Sequence, residues 1–393
     1  ITCQGIIVAP ASLYGRITYQ GGVFRKEMME GWLAAQKLPH VLELWKAHPA
    51  YDSFWRGYDA VSAADRVTAP AVHVGGWWDC FNQGTLEAFV SRQHEGAPPA
   101  RGNQKLIMGP WLHGVKREPG DVTLAENFNA VNFDEYIQRF FRYWLLGEQN
   151  GIMDEPAVQY YTVGDLSDPD APGNEWRTAN DWPPFVARET PFYLCPDGSL
   201  SAGEVSQTAG GLTFAYDPAN PVPSLGGATL LHKPGVYDQR PVSDRPDVLR
   251  FATPPLATPL EITGRVTVRL YVSTDAKDTD FTAKLLDIYP DGREILMLDG
   301  IQRVKFRNGF ECPDYLPPGK IAEIEVDLWS ISLIFNTGHR VGLHVSSSNY
   351  PRFEVNPNNG KDFPVEGEAM PVAHNTIYTG VRQPSALILP LTP

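Results

Sequence analysis

Two short apolar runs, Val72-His73-Val74 and Leu106-Ile107-Met108, each stop at glycine and then present an ionisable side chain. The first continues as Gly75-Gly76-Trp77-Trp78-Asp79, the second as Gly109-Pro110-Trp111-Leu112-His113-Gly114. Between them, Gly84 to Arg92 reads as an amphipathic helix with Leu86, Phe89 and Val90 inward. Strand, helix, strand is the pattern of an α/β sheet, whose parallel strands place their carboxyl ends along one edge. Such an edge can bring an acid and a base from distant parts of the chain to one site.

The rest of the first half fits around that sheet. Gly5-Ile6-Ile7-Val8-Ala9-Pro10 reads as an interior buried strand. From Phe24 to Asp65 the period becomes helical, with Phe24, Met28, Met29, Trp32 and Leu33 at three- and four-residue steps. This block is an inserted helical cap. Phe133 to Leu146 predicts a helix packing Tyr136, Ile137, Phe140, Phe141 and Trp144 on the sheet, with Arg139 and Arg142 facing water. After about Gly147 the texture changes to short alternating strands broken by Pro, Gly, Asp and Asn, the pattern of an all-β sandwich of jelly-roll kind. The expected division is an α/β part at 1–23 and 66–150, a cap at 24–65 and a sandwich at 151–393.

Bulk properties narrow the function. A net charge of −13 argues against nucleic acid or an anionic membrane surface as the main partner. No apolar run approaches the roughly 20 residues that span a bilayer. Four scattered cysteines (Cys3, Cys80, Cys195, Cys312) lack zinc or redox spacing and read as buried or incidental thiols. No metal and no cofactor is expected. The chain opens at Ile1 without an initiator Met or a leader, so an upstream part is expected to precede it. The compartment is open, with the cytoplasm favoured.

Asp79 just beyond a buried strand, beside Trp77, Trp78 and Phe81, suits a partly desolvated carboxylate that orients an imidazole. It equally suits a helix N-cap. His113, on a loop relaxed by Gly114, suits a general base. Asp followed by His is the back half of a Ser…Asp…His order, yet no Gly-x-Ser-x-Gly stands anywhere in the chain. Ser12 lacks the glycine before it and the helix after it, and reads as structural. Asp52, Asp59 and Asp65 read as surface or capping groups in the cap. Asp165, Asp168 and Asp170 lack the glycine and distal glutamate of a calcium loop and read as a solvated hairpin.

Several ordered segments resemble one family. Leu13-Tyr14 through Gly21-Gly22-Val23-Phe24, Gly76-Trp77-Trp78-Asp79-Cys80-Phe81-Asn82-Gln83-Gly84, Met108-Gly109-Pro110-Trp111-Leu112-His113, Thr190-Pro191-Phe192-Tyr193-Leu194 and Ser346-Ser347-Ser348-Asn349-Tyr350-Pro351-Arg352-Phe353 are similar to the CocE/NonD hydrolases. That family includes cocaine esterase, X-Pro dipeptidyl-peptidase, α-amino-acid ester hydrolase and glutaryl acylase. The resemblance implies an α/β-hydrolase domain with a helical cap and a C-terminal jelly roll, cleaving small-molecule esters or amides through an acyl-serine. It implies Asp79 as triad acid, His113 as base, and Trp32, Phe81 and Trp78 as pocket residues. Ile17 stands where cocaine esterase has a pocket tryptophan, so an aromatic substrate does not transfer. Phe81 and Asn82 stand where α-amino-acid ester hydrolases place carboxylates, which disfavours an amino-acyl substrate. The serine elbow and oxyanion tyrosine would lie before Ile1, upstream or on a separate chain. The competing expectation is an incomplete hydrolase fragment serving as a binding or scaffold protein.

Overall fold

Strands buried on both faces need helices on either side, and the first half of the chain supplies them. The computed structural model describes residues 1–168, 170–203, 205 and 210–393. Strand β1 (Gln4–Ile7) leads to a ribbon of β2 (Tyr19–Gln20) and β3 (Val23–Phe24), then helices α1 (Lys26–Ala35), α2 (Pro39–Lys46) and α3 (Ser53–Arg56). There follow β4 (Ala71–Gly76), α4 (Asn82–Glu95), β5 (Lys105–Gly109), α5 (Phe133–Leu146), β6 (Val158–Thr162) and β7 (Glu175–Ala179). One sheet runs β1-β4-β5-β6-β7, parallel except for the last pair.

This sheet draws strands from both sides of the expected boundary near residue 150. Val158–Thr162 and Glu175–Ala179 fall after residue 150 yet belong to the α/β sheet, where Leu106 lies opposite Val158. Alternation alone cannot tell a strand joining one sheet from a strand joining the next. Among the described residues, β1 lies at one edge of this sheet, with Ile7 43% exposed. Helix α5 begins and ends where its pattern predicts. Asn132 caps it by accepting from the Glu135 N–H, and Gly147 ends it in the left-handed region. It buries Tyr136, Ile137 and Phe140 against the sheet. Truncating Phe140 there would cost about 3–5 kcal/mol.

Helices form where the helical period places them, around buried Met28, Met29, Leu33, Trp45 and Trp55. Asp52 accepts from the Phe54 N–H to cap α3, and Asp59 accepts from the Val61 N–H in a turn. The β2–β3 ribbon turns through Gly21 and Gly22, both with positive φ. A side chain at Gly21 would strike the Ile301 carbonyl, so glycine lets the ribbon lie directly on the sandwich.

The remaining strands are β8 (Arg188–Leu194), β9 (Leu200–Ser201), β10 (Gly210–Tyr216), β11 (Leu249–Ala252), β12 (Leu260–Thr274) and β13 (Asp280–Ile288). They are followed by β14 (Glu294–Arg303), β15 (Ala322–Phe335), β16 (Arg340–Ser346), β17 (Ala373–Thr379) and β18 (Ala386–Leu391). They form two antiparallel sheets: β10-β17-β12-β18-β8-β9 with β15 also paired to β12, and β11-β16-β13-β14. Val268 and Leu270 of β12 share a core with Leu285 of β13 and Leu343 of β16. The same cluster includes Trp77, Trp78 and Met108, so one continuous apolar core joins the sandwich to the α/β sheet.

Candidate active site

The site begins with the two glycines that end β4 and β5. A Cβ on Gly76 would lie 2.2 Å from the Trp111 carbonyl oxygen, and one on Gly109 would enter the Trp111 ring. Without side chains there, the following loops can zip together. The Trp77 N–H donates to the Gly109 carbonyl at 2.9 Å, and the Trp78 N–H to the Trp111 carbonyl at 3.1 Å.

The consequence is a contact between the two ionisable groups. His113 Nδ1 lies 3.0 Å from Asp79 Oδ1. The carboxylate is fully buried, whereas the imidazole is one-third exposed. Asp79 Oδ1 also accepts from the Phe81 N–H at 3.2 Å. That bond is the backbone acceptance a capping carboxylate makes, although the N-cap position of α4 itself is Phe81. The hydrogen bond to Asp79 raises the His113 pKa above its ordinary value, against the opposing effect of burial. Phe81 meets the imidazole edge to face, with ring centres 5.3 Å apart.

Three clamps hold the acid loop. Asn82 Nδ2 donates to the Trp77 carbonyl at 2.6 Å and to the Ser330 carbonyl of β15 at 2.9 Å. Arg25, buried at the start of α1, donates to the Cys80 carbonyl at 3.0 Å and to the Ala228 carbonyl at 3.2 Å. Trp77 Nε1 donates to the Tyr161 carbonyl at 2.6 Å. Cap, sandwich and sheet thus converge on residues 77–82. Reasoning from sequence missed Arg25 and Asn82, because a clamp is visible only once its acceptors are in place.

The other expected residues separate. Trp32 stands on α1 with 39% exposure. Trp78 is 3% exposed and packs inside the main core. Ser12 bridges to Asp59 in the cap, away from the pair. All four cysteines are free, and Cys80 is buried with its Sγ 3.7 Å from His113 Nδ1. A cleft of about 500 Å³ lies elsewhere, lined by Tyr14, Arg16, Gln20, Arg265 and Phe310 but by neither Asp79 nor His113. Its cations are already neutralised, Arg16 by Glu87 and Arg265 by Asp327. Among the described residues, no helix is long and apolar enough to cross a membrane.

Comparison with known proteins agrees with this geometry. Residues 150–388 match the X-Pro dipeptidyl-peptidase C-terminal non-catalytic domain, and residues 18–115 match the X-Pro dipeptidyl-peptidase S15 family. Cocaine esterase of Rhodococcus sp. (strain MB1 Bresler) is 35% identical over 373 residues, covering 91% of this chain and 62% of that protein. An α-amino acid ester hydrolase structure superposes with a TM-score of 0.82 at 25% identity, covering all of this chain and 73% of that one. An aminopeptidase structure from a marine sediment Thaumarchaeota archaeon gives 0.85 at 24% identity, covering 99% and 72%. The chain spans about half to three-fifths of the length of the curated relatives it matches. Its two matched segments, its order of acid and histidine loops and its likeness to these hydrolases make it a member of the CocE/NonD hydrolase family.

Proposed function

We propose that this chain supplies the acid and the base of a serine hydrolase that cleaves an ester or amide through an acyl-serine. The nucleophilic hydroxyl comes from outside these 393 residues, upstream or on a separate chain. The observation that carries the reading is the 3.0 Å contact between buried Asp79 and partly exposed His113 at neighbouring sheet termini. With Nδ1–H held by Asp79, Nε2 is the nitrogen left to take a proton from a serine hydroxyl. The carboxylate then stabilises the imidazolium as it forms, and Nε2 returns the proton to the leaving group. Phe81 and Trp32 are the residues we assign to the acyl pocket. The missing partner would enter along the free side of β1, whose edge has no strand beside it among the described residues. We also read the sandwich as a jelly roll, since β11-β16-β13-β14 joins strands that are not consecutive in the chain.

A fluorophosphonate probe tests the reading on the longest natural form of the protein. Labelling of a serine outside this segment, lost when His113→Gln is introduced, is the expected result. Absence of labelling in a folded, full-length preparation would overturn it and leave the scaffold alternative.

A further inference from the structure

One feature of the site is not used by acyl transfer. Cys80 Sγ lies 3.7 Å from His113 Nδ1, and Nδ1 lies 3.0 Å from Asp79 Oδ1. Donor atoms of all three residues fall within 4.8 Å of one another. Zinc bonds of about 2.0–2.1 Å to nitrogen and oxygen and about 2.3 Å to sulfur, at the tetrahedral angle, set donors about 3.3–3.6 Å apart. The two measured separations bracket that range. Independently, Asp79 Oδ2 is buried without a hydrogen-bond partner among the described residues. An unsatisfied buried carboxylate oxygen calls for a catalytic role, a water or an ion.

We propose that Asp79, Cys80 and His113 form an inhibitory site for a thiophilic divalent cation of the zinc class. Thiolate and imidazole are two of its three donors, which selects zinc or cadmium over magnesium and calcium. With three protein donors, a fourth coordination position is left for water. Binding replaces the Cys80 S–H proton, which goes to solvent, and the metal takes the place of the proton on His113 Nδ1. That second proton moves to Nε2. The imidazole is then neutral, metal-bound at Nδ1 and protonated at Nε2, so it cannot accept a proton from a hydroxyl. The inhibitory consequence rests on the hydrolase reading; the binding itself does not.

Cobalt(II), alone and in competition with zinc, is the probe for the reduced chain. The expected result is saturation at a single equivalent, with a thiolate-to-cobalt charge-transfer band that zinc abolishes and magnesium leaves unchanged. Cys80→Ala should remove the band. His113→Gln should weaken binding about tenfold or more, while combined Cys3→Ala, Cys195→Ala and Cys312→Ala should leave it intact. Cys80→Ser, nearly the same size as the native residue, serves if the alanine variant does not fold. No band, or a band that survives both Cys80 variants, would overturn the proposal. In a preparation active toward esters, zinc should inhibit reversibly on chelation. Loss of the hydrolase reading would remove this last measurement only, and the cobalt titration would still decide the site.

Discussion

Two Asp–His pairs in this molecule look alike in distance and differ in everything that matters for chemistry. At the sheet edge, His113 touches one carboxylate, Asp79, and keeps one-third of its side chain open. In the sandwich, His339 is buried between two carboxylates, Nδ1 at 2.8 Å from Asp287 and Nε2 at 3.1 Å from Asp165. Tyr289 lies against that ring with centres 4.4 Å apart, and Arg293 stacks on Tyr289 from beyond. Carboxylates facing both nitrogens favour the protonated imidazole and leave no nitrogen free to accept a proton from elsewhere. The ring staples the loop after β6 to the sandwich. An Asp–His hydrogen bond can serve proton transfer only where the second nitrogen is left unoccupied.

The largest expected effect breaks the first pair. Asp79→Asn, assayed as ester hydrolysis with the nucleophile-bearing form of the protein, should lower kcat about 10⁴-fold with the fold intact. A loss smaller than about tenfold would remove Asp79 from the acid role.

Breaking the second pair should leave chemistry alone and cost stability instead. His339→Gln strips the cation from two carboxylates, one fully buried, and should destabilise by about 3–5 kcal/mol in urea unfolding. The pH dependence has a definite sign. The Asp287 hydrogen bond and charge hold the His339 pKa above its ordinary value despite burial. Its stabilisation is therefore complete below the unfolded-state pKa of about 6.5 and is lost as pH rises through the folded value. Burial also raises the Asp287 pKa, which destabilises the fold as that group ionises, again with rising pH. The melting temperature of the native protein should fall as pH rises above about 6.5 and through the folded His339 value; a curve that rises over that range would contradict the staple.

The clamps sharpen the contrast from the acid side. Asn82→Ala leaves the buried Trp77 and Ser330 carbonyls without that donor and should cost about 1–3 kcal/mol by chemical denaturation. It should also lower kcat, because the loop carrying Asp79 loosens. The smallest effect is expected of Phe81→Ala, which removes an edge-to-face contact of about 0.5–1.5 kcal/mol. We expect roughly a tenfold or smaller loss in kcat/KM, and an unchanged value would separate Phe81 from His113 function.

Much of this site was legible without coordinates, because its signals are local. Apolar runs ending in glycine, a charged residue a few positions later and a helix between them locate Asp79 and His113 on successive strands. The period of α5 is equally local, and its ends follow from Asn132 and Gly147. Membership of a sheet is not local. The short polar-alternating strand Ala373–Thr379 and the Pro390-bearing strand Ala386–Leu391 carry weak signals, yet pair with β12 in the larger sheet. Strand β15 runs on to Phe335 through Trp329, whose positive φ no residue propensity foretells.

By itself, the order of residues determined the mixed class of the fold, the helices after Phe24, the two strand ends and the two ionisable residues that follow them. Local steric preference and hydrophobic period operate over a few residues, and those features need nothing more. Tertiary structure alone decided that β6 and β7 complete the first sheet, that Arg25 and Asn82 clamp the acid loop, and that Cys80 faces His113. Each of these depends on hydrogen bonds or contacts between residues far apart in the chain, whose geometry exists only once the core has closed.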